Sequence, residues 1–300
     1  MITPAPLQTG DTIAIVSPAK SIEASHIDYA RVFFEGHGFK VIVGDHAYGE
    51  HNYFSGTDHE RMSDMQFAVD HPEVKAIICA RGGYGCIRLT QNLNWANLLR
   101  EPRWIAGFSD VTVFHLQAEQ LGIETIHSTM PLNYQENSDQ ALESLLAALT
   151  GKPILHEWEN SSFNKAGEAN GQLIGGNLSI IYSLLATPLR PDFDGKILFI
   201  EDLGEQVYHI DRIFQTMKLN SVFDAVSGII VGGMTDMRET AVPTKWKIEE
   251  LLLEQMPYRS VPVAFNAPIG HIADNRAVIR GREAVLSVSE SGVVLAQQTV

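Results

Sequence analysis

Short apolar runs alternate with longer amphipathic stretches through the first half of the chain, and this rhythm constrains the fold more than any other feature. Thr12-Ile13-Ala14-Ile15-Val16, Lys40-Val41-Ile42-Val43 and Val74-Lys75-Ala76-Ile77-Ile78-Cys79 read as buried strands, with Trp104-Ile105-Ala106 and Ile123-Glu124-Thr125-Ile126 as shorter ones. Between them, residues 24–35, 58–69, 111–119 and 139–149 carry helical periodicity, with Asp58 as a candidate cap. A crossover that holds a helix leaves its flanking strands parallel, so the pattern predicts an α/β domain built on a parallel sheet.

Three hundred residues exceed what one core usually organises, so two domains are expected. The character changes over 151–168, where Gly151, Pro153, Asn160-Ser161-Ser162, Asn164 and Gly167 read as a linker or irregular crossover. The expected division is a first domain over 1–150, a linker over 151–168 and a second, smaller domain over 169–300. The second half resumes with Gly171-Gln172-Leu173-Ile174-Gly175-Gly176-Asn177, followed by a helical stretch at 180–185 and the buried run Lys196-Ile197-Leu198-Phe199-Ile200. An amphipathic helix over 207–217 precedes the strand Ser227-Gly228-Ile229-Ile230-Val231, which Gly232-Gly233 ends. A helix over 246–255 leads to Val261-Pro262-Val263-Ala264, where proline marks an edge or a strand start. Ala277-Val278-Ile279 and Ala284-Val285-Leu286-Ser287-Val288 are expected to close the domain as an antiparallel pair, so this half reads as mixed α/β and rich in strands.

A formal charge of −14 argues against a nucleic-acid partner, which needs a basic face to displace phosphate counterions, and against an anionic membrane surface. A small anionic ligand remains compatible, because one local cation serves it against an acidic background. The opening Met1-Ile2-Thr3-Pro4-Ala5-Pro6 has no basic n-region or long apolar h-region, and no apolar run reaches the length of a membrane span. Two cysteines, Cys79 and Cys86, make neither a disulfide framework nor a zinc site. A cytoplasmic protein is the expectation.

Four segments at strand ends carry candidate chemistry, because α/β proteins place their sites there. Arg81-Gly82-Gly83-Tyr84-Gly85 follows the third strand. It fits no phosphate-binding glycine motif, and reads either as a turn or as a loop whose N–H groups bind an oxyanion. Gly107-Phe108-Ser109-Asp110 sits at a strand-to-helix turn, which holds a serine hydroxyl clear of its own backbone. Its match to a nucleophile elbow is partial, since Val111 stands where the pattern wants glycine. Glu201-Asp202-Leu203-Gly204-Glu205 is expected just beyond a buried strand, with Glu201 first out of it, either as a helix-dipole partner or to orient a histidine. Gly270-His271 lies in a loop after a strand, a place for a positioned base. Serine, glutamate and histidine thus follow in order, the residue types of an acyl-transfer triad.

Taken together, Val16-Ser17-Pro18-Ala19, Arg81-Gly82-Gly83-Tyr84-Gly85, Gly107-Phe108-Ser109-Asp110, Gly175-Gly176-Asn177-Leu178, Ile200-Glu201-Asp202 with Asp211-Arg212, and Gly270-His271 resemble the LD-carboxypeptidase family of serine peptidases, which includes microcin-immunity peptidases. The likeness runs over nearly the whole length. It implies a Rossmann-like N-terminal domain carrying the nucleophile Ser109 and a more irregular C-terminal domain carrying Glu201 and His271, with the site assembled between them. It implies oxyanion donors at the N–H groups of Gly83 and Asp110, no cofactor, and a cytoplasmic homodimer acting on murein peptides. The reaction implied is release of terminal D-alanine from murein tetrapeptide. The family's frequent His-Gly-Pro stands here as His127-Ser128-Thr129-Met130-Pro131. Holding a free C-terminal carboxylate calls for cations or N–H donors, for which Arg81, Gly82 and Arg212 are candidates by position. Two other functions are carried forward: hydrolysis of peptide-nucleotide or acylated amino-acid conjugates with the same three residues, and small-molecule binding without catalysis.

Overall fold

The computed structural model describes residues 1–256 and 261–298. The chain divides into two compact units, one of Met1–Lys152 joined by Ala273–Gly281, the other of Pro153–Ile272 joined by the segment that starts at Arg282. Chain order and spatial grouping therefore diverge after residue 272, where nine residues return to the first unit.

In the first unit β1 (Thr12–Val16), β2 (Lys40–Val43), β3 (Val74–Cys79), β4 (Trp104–Gly107) and β5 (Thr125–His127) are all parallel. Every side chain of β1 is buried, which is what a strand covered on both faces requires. Spatial order runs β5-β4-β3-β1-β2, so the direction of winding reverses between β3 and β1. A doubly wound sheet binds ligands beyond the carboxyl ends of its strands at such a reversal. Helices Ala24–Gly36, Asp58–Asp70 and Thr112–Gln120 lie in the crossovers β1–β2, β2–β3 and β4–β5, the short helices Cys86–Thr90 and Ala96–Arg100 lie in the β3–β4 crossover, and Asp139–Leu149 follows β5. The second of these is capped by Thr57 rather than Asp58: Thr57 Oγ1 accepts the Glu60 N–H at 3.3 Å and Glu60 answers with 2.7 Å to the Thr57 N–H, a reciprocal box. Asp58 is then free to bind Arg61 and Arg88.

The second unit holds β6 (Ile154–Trp158), β7 (Gly167–Asn177), β8 (Ile197–Leu203), β9 (Gly228–Thr235) and β10 (Val263–Ala264). After β11 (Val278–Arg280), which belongs to the first unit, it is completed by β12 (Glu283–Ser289) and β13 (Gly292–Gln297), in the spatial order β10-β9-β8-β7-β12-β13-β6. β7 through β10 are parallel neighbours, while β12, β13 and β6 are antiparallel. β7 joins the two regimes: its first half pairs antiparallel with β12 and its second half parallel with β8. Helices Leu178–Leu184 and Val207–Leu219 bury Leu178, Ile181, Ile210, Ile213 and Phe214 in one core with Phe223. No helix among the described residues is long and apolar enough to cross a membrane.

Two strand expectations are corrected. β11 does not pair with β12. It adds antiparallel to β5, Val278 against His127 and Arg280 against Thr125, while β12 pairs with β7 and β13. Gly281, at φ 86°, supplies the left-handed turn that separates the two strands, and the buried Arg280–Glu119 ion pair at 2.8 Å anchors β11 in the first unit. Within 151–168, read as a linker or irregular crossover, Ile154–Trp158 forms the edge strand β6, its alternation of buried and exposed residues being too short to stand out beside the glycine, proline and asparagine around it.

Candidate active site

Ser109 follows β4 after one extended residue, Phe108, and opens a single 3₁₀ turn that runs into helix Thr112–Gln120. Its φ is 60°, in the left-handed region that disfavours a residue with a Cβ. Strain held at one serine between a strand and a helix is the backbone signature of a nucleophile elbow. The Val111 position that weakens the sequence match is fully buried against Gly107, where a methyl would stand 3.0 Å from Val111 Cγ2.

The glycine loop comes up against this turn. A Cβ at Gly82 would stand 2.9 Å from Ser109 Cβ, 3.1 Å from Ser109 Oγ and 3.2 Å from the Asp110 nitrogen. Gly82 therefore leaves open the space in front of the hydroxyl and the Asp110 N–H. Gly83, at φ 104°, turns the loop beside Lys20 and Tyr53. Two side chains fix the loop from beneath. The buried Asp110 carboxylate accepts the Cys86 N–H at 2.8 Å, and burial raises its pKa above the usual carboxylate range. Arg61, also buried, donates to the carbonyls of Pro18 at 2.5 Å and Gly56 at 3.1 Å and lies 3.4 Å from that of Gly85. One guanidinium thus ties the ends of three loops. Cys79 and Cys86 are buried, free thiols, and burial raises the pKa of both.

Below the turn, His115 Nε2 lies 2.9 Å from the Gly107 carbonyl. Burial, with the Arg280 charge, pushes its pKa down to about 3, so it is neutral and donates to that carbonyl. It steadies the end of β4 and takes no part in proton transfer at neutral pH.

The second unit brings Glu201 and His271 together across 70 positions of sequence, with His271 Nδ1 2.6 Å from Glu201 Oε2. Glu201 is inside β8 rather than first out of it, because β8 continues through Asp202 to Leu203. Polar residues do not end this strand, since both carboxylates have buried uses. Glu201 turns to the imidazole, while Asp202, on the opposite face, accepts the Ser179 N–H at 2.9 Å and the Asn177 amide at 3.0 Å. Asn177 Oδ1 in turn caps Leu178–Leu184 by accepting the Ile180 N–H at 3.2 Å. Burial, and then the Glu201 charge, raise the Asp202 pKa to about 6.

Glycines make the close approach to Glu201 feasible. The β8–β9 register slips so that Gly232 and Gly233 face Glu201 alone, a bulge that bends β9 at the site. The Gly233 N–H donates to the Ile269 carbonyl at 2.8 Å and Thr235 Oγ1 to the His271 carbonyl at 3.1 Å, so the histidine loop lies on the bulge. Gly270 has φ 99°, and a Cβ there would stand 2.5 Å from Glu201 Cβ and 2.7 Å from Oε2. For the part-buried imidazole, desolvation opposes the charged form, but the Glu201 charge, its hydrogen bond and Asp202 outweigh it and raise the pKa above the usual 6.5. The signal for these supports was present in Gly232-Gly233, noted only as a strand end.

Of the remaining candidates, Arg81 is half-buried and donates from Nη1 to the Ser21 carbonyl at 2.9 Å. Arg212 is exposed on helix Val207–Leu219, its guanidinium 5.2 Å from the Tyr208 ring centre. Ser109, Gly82 and Asp110 thus form one group in the first unit, and Glu201 and His271 another in the second. Among the described residues no cluster of three His, Cys, Asp or Glu side chains is arranged to hold a metal ion.

Comparison with known proteins adds to this geometry. Residues 13–128 match the LD-carboxypeptidase N-terminal domain and residues 170–286 the LD-carboxypeptidase C-terminal domain. A putative carboxypeptidase of Synechocystis is 33% identical over 95% of this chain and 94% of its own. The probable murein peptide carboxypeptidase of Bacillus subtilis is 30% identical over 97% and 93%. The crystal structure of muramoyltetrapeptide carboxypeptidase from Oxalobacter formigenes superposes with a TM-score of 0.86 at 25% identity, covering 96% of this chain and 98% of that one. Both halves of the chain match in order, and the relatives agree with it over almost their full length: the protein belongs to the LD-carboxypeptidase family.

Proposed function

We propose that the protein is a serine carboxypeptidase that cleaves the bond between the L-centre of a diamino acid and the terminal D-alanine of a murein tetrapeptide. The observation that carries the proposal is the 2.6 Å contact of His271 with a fully buried Glu201, in a chain where, among the described residues, the one left-handed serine at a strand-to-helix turn is Ser109. The names of the Bacillus and Oxalobacter relatives support the murein substrate.

In this reading Ser109 Oγ attacks the carbonyl carbon and its proton passes to His271 Nε2. Glu201 accepts from Nδ1–H, which fixes the tautomer with Nε2 as the base and stabilises the imidazolium that forms. The N–H groups of Asp110 and Gly83 hold the oxyanion of the tetrahedral intermediate. The imidazolium protonates the leaving nitrogen, the C–N bond breaks and D-alanine departs. Water, deprotonated by His271, then attacks the acyl-serine ester, and collapse of that second intermediate returns the proton to Ser109. A cytoplasmic homodimer belongs to the same reading.

The test is incubation with purified murein tetrapeptide and detection of released D-alanine. Ser109→Ala is expected to lower turnover by about 10³-fold or more. Unchanged turnover in that variant, or no D-alanine from the wild type, overturns the proposal. A peptide-nucleotide conjugate run in parallel reads the substrate class.

A further inference from the structure

A carboxypeptidase distinguishes the end of a chain from its middle by the terminal carboxylate, and an anionic protein needs a specific cation for this. At a net charge of −14 the overall field repels such a substrate, so the attraction is local. Several cations surround the glycine loop in the first unit, and most of them are committed. Arg61 is buried on the carbonyls of Pro18 and Gly56 and on Asp58. Arg88 makes a forked ion pair with Asp58, 2.9 Å from Nε and 2.6 Å from Nη2. Arg81 donates to the Ser21 carbonyl.

Lys20 differs from all three. It follows the carboxyl end of β1, at the reversal between β1 and β3 where a doubly wound sheet receives its ligand. Its N–H lies 3.4 Å from the Gly82 carbonyl, which fastens it to the loop that borders Ser109. A methyl at Gly83 would stand 3.1 Å from Lys20 Cβ and 3.0 Å from the Tyr53 hydroxyl. The ammonium lies 4.9 Å from the centre of the Tyr53 ring, a cation–π contact that steers the side chain while leaving its three donors unspent among the described residues. Half-buried Lys20 has no ion pair among the described residues. Tyr53 is 43% exposed and presents its hydroxyl beside the same loop.

We infer that Lys20, steered by Tyr53, is the cation that receives the free carboxylate of the residue released by cleavage, and so makes the enzyme a carboxypeptidase rather than an endopeptidase. The inference rests on the proposed peptidase reading, and it names the residue behind the terminal selectivity of that site. A lysine suits the task because its ammonium is a compact charge on a stem that the aromatic ring can aim.

The experiment compares two probes, a murein tetrapeptide and the same peptide with its terminal D-alanine as the amide. Binding of each to Ser109→Ala protein is measured by calorimetry, with and without a second change at Lys20. The acid is expected to bind about tenfold or more tightly than the amide, Lys20→Gln to abolish that preference by weakening the acid alone, and Lys20→Arg to restore part of it. In proteins with Ser109 intact, Lys20→Gln raises KM for the acid more than it lowers kcat. Equal binding of acid and amide, undiminished preference in Lys20→Gln, or loss of the preference in Arg81→Gln instead overturns the inference. Acid-selective binding through Lys20 without D-alanine release from wild type would overturn the peptidase reading and leave the carboxylate site standing.

Discussion

Ser109 and His271 are positioned by different parts of the polypeptide. Ser109 is held by main-chain torsion: a φ of 60°, an extended residue before it and a helix after it leave its hydroxyl little choice, and the neighbouring loop contributes mainly by lacking side-chain atoms at Gly82. His271 is held by side-chain chemistry: a carboxylate on a buried strand grips the imidazole, and glycines at 232, 233 and 270 let the loop come close enough. The first arrangement is local in sequence and tolerates little change of shape. The second spans 70 positions and tolerates little change of charge.

That contrast gives three ways to test it. The largest effect is expected from Glu201→Gln, which keeps the shape and removes the charge. Turnover of the tetrapeptide is predicted to fall by roughly 10³ to 10⁴-fold, as when the orienting carboxylate of a triad is made an amide. Because Glu201 raises the His271 pKa, its removal lowers it. In the proposed mechanism the neutral imidazole is the base, so the residual activity should rise with pH at a lower pH than in the wild type, and a pH–rate profile checks the direction. An acid limb that moves upward would contradict the charge assignment.

Gly82→Ala comes next. The change keeps every charge and adds one methyl 3.1 Å from Ser109 Oγ. Turnover is predicted to fall about 10²-fold through misplacement of the reacting groups, while the pH profile stays where it was. A shifted profile with little loss of rate would mean that the serine turn is governed by charge after all.

The smallest effect is in stability. Ser109→Gly relieves the left-handed strain that Ser109→Ala retains, so thermal unfolding should find the glycine variant more stable than the alanine variant by about 1 kcal/mol. Equal melting temperatures would remove backbone strain from the account of the turn.

Much of the first unit was legible in the sequence. The parallel strands β1 to β5 and the four longer helices of the unit follow from apolar runs and helical periodicity, signals written within a dozen residues of each other, whereas the short helices Cys86–Thr90 and Ala96–Arg100 were not expected. Ser109 could be picked out because a strand-to-helix turn is itself local. The second unit was less readable. The strand character of β6 was obscured by the loop-forming residues beside it. Asp202 and Leu203 were expected outside β8, because acidic residues resemble a strand end until their partners, Ser179 and Asn177, are known. Lys20 and Tyr53 carried no motif of their own, and Arg81 and Arg212 stood out only by position.

The sequence alone set the torsional and burial preferences of each segment, and with them the parallel sheet, the glycine turns and the residue types able to move a proton. Tertiary structure chose the partners. It set β11 on β5 instead of β12, laid the His271 loop on a bulge opposite Glu201, and occupied Arg61, Arg81 and Arg88 while leaving Lys20 without an ion pair among the described residues. The physical reason is that torsion and periodicity are properties of neighbours along the chain, whereas strand pairing and a hydrogen bond over 70 positions depend on how the packed cores bring distant segments together.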